Sequence, residues 1–181
     1  FEIKTSRAIG RELLRHGKLI GLTEFSQRYS SNIEFEDIEL RKQSVSNRQS
    51  SSEQFDPILT SWGKNRPASD VVKGNINQIE NLYTDMIGEG VAKETARFIL
   101  PETTTTTIYM NGRIREWITF LNARLHKTAQ KEIRELAEVI KIVFMEQCPL
   151  ISRALYNFDN AENVHILDRI VLEKYKVYNL I

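Results

Sequence analysis

Residues 103–147 read TTTTTIYMNGRIREWITFLNARLHKTAQKEIRELAEVIKIVFMEQ, and a change of period inside this stretch decides the fold. Thr103 to Met110 is β-branched and suits a strand. From Asn111 to Arg124 the apolar residues take helical spacing, with Ile114, Trp117, Ile118 and Leu121 on one face. Lys127 to Gln147 is the strongest helical pattern. Ala129, Ile133, Leu136, Ala137, Ile140, Val143 and Phe144 form the stripe expected to be buried, and Arg134 with Glu138 is expected as an exposed i,i+4 pair.

The flanks extend this pattern. Pro67 and Ser69 open a helix carried by Val72, Ile76, Ile79, Leu82, Tyr83, Met86 and Ile87, which Gly88 and Gly90 end. A short helix over Val91–Leu100 stops at Pro101. Arg41 to Asn65 contains SVSNRQSSSE and has no periodicity, so 41–65 is expected to be a long surface loop. Asn32 to Leu40 alternates and predicts a strand; Lys18 to Ser30 suits extended chain. Thr5 to His16 reads as a helix capped by Thr5 or Ser6 and stopped by Gly17. Leu150–Tyr156 and Glu162–Tyr178 are expected to be helical. The expectation is an α+β fold in a single domain over 1–181, with helices packed on a small, mostly antiparallel sheet.

Composition narrows the function. Of 181 residues 41% are hydrophobic and 27% charged, the balance of a globular chain with a core. The 25 basic and 24 acidic residues leave a net charge of +1, which argues against a nucleic-acid partner. No apolar run is long enough to span a bilayer, and FEIKTSRAIG lacks an apolar signal core, so no membrane partner and a cytoplasmic location are expected. The single cysteine, Cys148, excludes a disulfide within the chain and is expected to be a buried structural thiol. Three scattered histidines give no metal motif, and GxSxG, P-loop, GxGxxG and HExxH are absent. A chain that opens on Phe1 is expected to be part of a longer reading frame.

What remains is arginine chemistry. Arg15-His16 is followed by Glu24-Phe25-Ser26-Gln27-Arg28-Tyr29-Ser30, a segment whose guanidinium forks and hydroxyls suit either a phosphate or a solvated strand face. Arg97 stands in the short helix before Pro101. Asn111, Arg113, Arg115 and Arg124 form a third group, with Arg115 and Arg124 on roughly opposite faces of one helix.

Taken in order, these clusters resemble the flavin-dependent thymidylate synthases, the ThyX class. The family pattern R-H-R, a spacer, then E-x-S-x-R-Y stands here as Arg15-His16-Gly17, a spacer, and Glu24 to Tyr29. ARFILP (96–101), IYMNGRIREWI (108–118), FLNAR (120–124) and AQKEIR (129–134) follow in the family's order over roughly Phe1 to Pro149. The resemblance implies reductive methylation of dUMP to dTMP, with methylenetetrahydrofolate as carbon donor and NADPH reducing a bound FAD. It implies no covalent cysteine, and a homotetramer with shared active sites.

By position the resemblance gives Arg124 the catalytic role of drawing electron density from the uracil ring. It places Ser26, Gln27 and Arg28 at the dUMP phosphate and sugar, Glu24 near the ribose, and Glu12, Arg15 and Arg97 as further nucleotide contacts. Arg15, His16, Glu24, Asn111, Arg115 and Thr119 fall to the FAD side. The chain departs from the pattern at Gly17, in a spacer (Lys18–Thr23) one residue longer, and at Glu12, Thr23 and Thr119. It also begins after the family's His-containing upstream segment. A degenerate paralogue that binds nucleotide without turnover is the alternative these departures raise.

Overall fold

The first residues alternate inward and outward and make a strand before any helix: Ile3 and Thr5 are buried, Glu2 and Lys4 half-buried. The computed structural model describes residues 1–16, 21–28, 32–60, 65–156 and 177–178. In chain order its elements are β1 (Glu2–Ser6), α1 (Arg7–Leu14), β2 (Leu22–Glu24), β3 (Arg41–Gln43), β4 (Ser51–Gln54), β5 (Ile58–Leu59), β6 (Arg66–Pro67), α2 (Ala68–Gly88), α3 (Lys93–Ala96) with a 3-10 turn (Arg97–Ile99), β7 (Thr105–Met110), α4 (Ile114–Arg124), α5 (Lys131–Gln147), α6 (Pro149–Tyr156) and β8 (Val177–Tyr178). The class is α+β, with small antiparallel sheets.

The described chain forms two compact units. The first takes Phe1–Thr5, Ile9–Glu24 and the described residues from Thr106 onward. Its sheet runs β2-β7-β1-β8. β2 is antiparallel to β7, with Leu22 opposite Met110 and Glu24 opposite Ile108. Phe1 and Met110 exchange backbone hydrogen bonds at 2.7 and 2.8 Å, which continues the antiparallel pattern to β1, and Glu2 and Ile3 pair antiparallel with β8. Against this sheet α1, α4 and α5 bury Ile9, Leu13, Trp117, Phe120, Leu121, Ile133, Leu136, Ala137, Val139, Ile140 and Phe144 around Ile3, Ile108 and Met110. Each large aliphatic or aromatic side chain so covered contributes about 1.5–3 kcal/mol relative to exposure. Gly10 lets α1 approach the sheet, since a Cβ there would stand 3.0 Å from the Ile108 Cδ1 and 3.2 Å from the Thr106 Cγ2.

The second unit takes Ser6–Ala8 and the described residues of Phe25–Thr105. Its main element is α2. Asp56 starts that helix, accepting the Ser69 N–H at 2.8 Å and the Ser69 hydroxyl at 2.6 Å, while the Pro57 carbonyl takes the Ala68 N–H. The Ser69 hydroxyl bond, then its N–H, hold the Asp56 carboxyl below its usual pKa. Gly90, at φ +87°, closes the other end.

Several expectations are corrected. The helix expected from Thr5 begins at Arg7, because Thr5 and Ser6 belong to β1. The Arg7 and Ala8 N–H groups donate to the Thr104 and Glu102 carbonyls at 2.9 and 3.0 Å, and the Glu36 carboxylate accepts the Ser6 N–H at 2.9 Å. The strand expected over Asn32–Leu40 reduces to one bridge, Phe35 to Thr104. The loop expected over 41–65 contains a β3–β4 hairpin and the start of a β5–β6 pair. Of the α2 stripe only Tyr83 is fully buried, and Leu82 is exposed. Cys148 is half-buried against the core rather than buried. Arg134 donates to the Lys127 and Ala129 carbonyls at 3.2 and 3.1 Å, and Glu138 pairs with Lys141 instead. The expected helix over Glu162–Tyr178 lies outside the described residues except at Val177–Tyr178, which is strand. Gly17, Lys18 to Ile20, Tyr29 and Ser30 also lie outside them. Among the described residues no helix is long and apolar enough to cross a membrane.

Candidate functional site

In the first unit, α1 and α4 bring Glu12 and Arg124 together. Arg124 ends α4, which its buried neighbours Phe120 and Leu121 fix against the core. Its Nη1 donates to the Glu12 carboxylate at 3.4 Å and its Nη2 to the Glu12 carbonyl at 3.3 Å. The two side chains keep only 23% and 24% of their exposure. The Arg124 Nε is buried and has no acceptor among the described residues. A guanidinium so held is a cation about three-quarters covered, with two of its five N–H donors engaged, at a site of reduced dielectric.

Beside it, the His16 ring meets Phe120 edge-on, with centroids 5.2 Å apart. Arg15, in the turn after α1, is exposed. Glu24, at the end of β2, accepts the Thr106 hydroxyl at 2.8 Å. Asn111 follows β7 and lies over Gly21, whose φ of +72° and missing Cβ make room for the carboxamide. Thr119 is turned onto its own helix, its hydroxyl donating to the Arg115 carbonyl at 2.9 Å. Arg113, by contrast, is spent on structure. Its Nε and Nη2 clasp the Glu116 Oε1 at 3.0 and 2.6 Å, and its N–H reaches the Glu116 Oε2 at 2.7 Å. This capping box starts α4 and holds the Glu116 carboxyl below its ordinary pKa, the Arg113 side chain contributing most.

In the second unit, Arg28 and Arg97 meet at Glu94. The Arg28 Nη2 donates to the Glu94 carboxylate at 3.2 Å and the Arg97 Nε to the Glu94 carbonyl at 3.3 Å. This pair is open, with Arg28 and Glu94 exposed to 54% and 60%. Ser26 makes a turn by accepting the Arg28 N–H at 3.4 Å. Gln27 is only 7% exposed and accepts the Arg7 Nη1 at 2.8 Å.

Sequence reasoning missed Glu94, Thr106 and Arg7. Arg7 did leave a signal: a cation at the first position of a helix opposes the helix dipole, a choice that needs another reason. Glu94 and Thr106 left none, since their partners come from distant segments.

As a cofactor set, Arg15 and Arg115 are both exposed, and the Arg115 charge also bears on the Glu116 carboxylate. Such cations fit a doubly charged pyrophosphate, so the residues present suit a dinucleotide cofactor. Among the described residues no cluster of three or more His, Cys, Asp or Glu could hold a metal ion.

The family model Thy1, thymidylate synthase complementing protein, matches residues 1–150. A flavin-dependent thymidylate synthase of Synechocystis is 40% identical over 154 residues, covering 85% of this chain and 69% of that protein. A probable flavin-dependent thymidylate synthase of Paramecium bursaria Chlorella virus 1 is 39% identical over 155 residues, with the same coverage. That of Kosmotoga olearia is 31% identical over 163 residues, covering 87% and 67%.

Proposed function

From the premise that the chain belongs to the Thy1 family of flavin-dependent thymidylate synthases, we propose that it methylates dUMP to dTMP, with FAD as cofactor, methylenetetrahydrofolate as carbon donor and NADPH as reductant. The observation that carries this reading is the Arg124 guanidinium: about three-quarters covered and oriented through both Nη atoms by the Glu12 carboxylate and carbonyl.

When bound, the flavin supplies a hydride and the folate supplies the one-carbon unit. The protein's own task is to make C5 of the pyrimidine nucleophilic. Arg124 does this by donating to the uracil carbonyl edge, where the activated, enolate-like ring would hold its negative charge before C5 gives it up to the electrophile. Glu12 keeps the fork aimed, so little reorganisation is needed when that charge develops. Removing one such preorganised donor typically costs about 10²–10³ in rate. No thiolate is called on, and the half-buried Cys148 packs on the core.

Ser26, Gln27 and Arg28 take the phosphate, with Arg97 as a second cation. Arg28 exchanges the Glu94 carboxylate for the ligand dianion, which its exposure makes inexpensive. Arg15, His16, Glu24, Asn111, Arg115 and Thr119 hold the FAD, with Arg15 and Arg115 toward the pyrophosphate. A homotetramer with shared active sites completes the proposal.

The test is the visible spectrum of the purified protein with and without FAD, followed by anaerobic reduction and dUMP-dependent reoxidation with dTMP released. Flavin uptake and turnover support the reading. Failure to take up FAD refutes it, and dUMP binding without turnover selects the non-catalytic alternative.

A further inference from the structure

We propose that Arg7 is a positioning residue for the substrate phosphate, acting through Gln27; the inference rests on the reading that residues 26–28 bind that group. Arg7 lies outside every sequence block that carries the family resemblance. It opens α1, where the helix dipole disfavours a cation and where the first backbone donors are already taken by Thr104 and Glu102. Its Nη1 instead lies 2.8 Å from the Gln27 Oε1.

A guanidinium has only donors, so the carboxamide atom facing it is the oxygen. This settles the orientation of an amide that could otherwise turn over, and leaves the Gln27 Nε2 directed away from Arg7. Among the described residues no acceptor takes that Nε2, and no carboxylate pairs with Arg7. Gln27 itself is nearly covered, so its amide has little freedom to reorient. The result is a preset donor backed by a guanidinium, next in sequence to the Ser26 hydroxyl and the Arg28 fork. A phosphate dianion satisfies this arrangement; a neutral nucleoside does not call on it.

The experiment compares binding of dUMP and of deoxyuridine to the FAD-loaded protein and its variants, with folding checked by circular dichroism and melting temperature. Arg7→Met is expected to weaken dUMP roughly tenfold while deoxyuridine affinity and kcat at saturating dUMP stay within about twofold. Arg7→Lys, which keeps a charged donor, is expected to restore most of the loss. Gln27→Met leaves α1 untouched and is expected to weaken dUMP similarly, with no further loss in the double variant. If Arg7→Met weakens dUMP and deoxyuridine alike, its role is merely structural and the inference falls. If it leaves dUMP affinity intact while Arg28→Ala lowers it, the inference falls and the proposed function stands. If Arg28→Ala also has no effect, the phosphate assignment fails and takes the inference with it.

Discussion

Two arginine–glutamate pairs of nearly equal length sit in the two units and have opposite surroundings. Arg124 and Glu12 meet at 3.4 Å with three quarters of each side chain covered; Arg28 and Glu94 meet at 3.2 Å with more than half of each in water. Distance therefore does not rank them. Water screens the second pair, and exposed pairs of this kind contribute about 0.2–1 kcal/mol. The first is less screened, and its second bond runs to a backbone carbonyl that cannot swing away. A covered, doubly anchored guanidinium is built to stay in place during chemistry. An open one can exchange its carboxylate for an anion at little cost, as the proposed function requires of Arg28.

The sharpest way to break this contrast is Arg124→Lys. The charge survives but the fork is lost, so turnover is expected to fall about 10²–10³-fold while dUMP still binds. Single-turnover kinetics beside equilibrium dUMP binding separate the two effects, and unchanged turnover would remove Arg124 from pyrimidine activation. Arg28→Ala should act the other way round. Loss of a charged hydrogen bond to phosphate raises the KM for dUMP roughly tenfold or more, with kcat little changed. Should kcat fall and KM hold, the open pair is not a binding device.

The carboxylates sharpen the same contrast. Glu12→Gln leaves the carbonyl of residue 12 to hold Nη2 but removes the charged partner of Nη1. We expect kcat to fall roughly tenfold, less than for Arg124→Lys, because the donor survives and only its aim loosens. Glu94→Gln should do the reverse and tighten dUMP by about twofold, since Arg28 no longer has to leave an anion. That gain should vanish in concentrated salt, where an exposed pair is already screened. A loss of affinity instead would mean that Glu94 orients Arg28 rather than competing for it.

The same contrast of covered and open explains what was legible in the sequence. α5 and α4 were readable because one face of each is buried, and Ile133, Leu136, Ile140 and Phe144 keep helical spacing. The β3–β4 hairpin was not: every residue of β4 is exposed, so no alternation marks it. β1 is hidden in the sequence because Thr5 and Ser6 are good caps in isolation, and only the sheet around them makes them strand. Among site residues, Glu12 and Arg124 were nameable from the family resemblance, but their pairing spans 112 positions and needs the packed core. Arg7 and Glu94 belong to the same class, since their roles exist only through partners distant in sequence.

A third pair stands between these extremes and gives the smallest expected effect. Glu116 is covered to 10% exposure while Arg113 keeps 77%. The Arg113 side chain, and then its N–H, hold the Glu116 carboxyl below its ordinary value of 4.5. A carboxylate depressed in the folded state stabilises it fully at pH values above the unfolded value, and that stabilisation is lost as pH falls through the folded one. Glu116→Gln should therefore melt slightly below the parent at pH 7, with the gap shrinking once the pH drops under about 4.5 and closing in stronger acid. Because α4 runs from this box to Arg124, the variant also asks whether the Arg124 fork depends on how its helix begins. If the gap keeps its size down to acid pH, the box holds α4 by shape alone. A kcat that follows the same pH curve would mean that the covered pair at the end of α4 borrows its order from the capping box at its start.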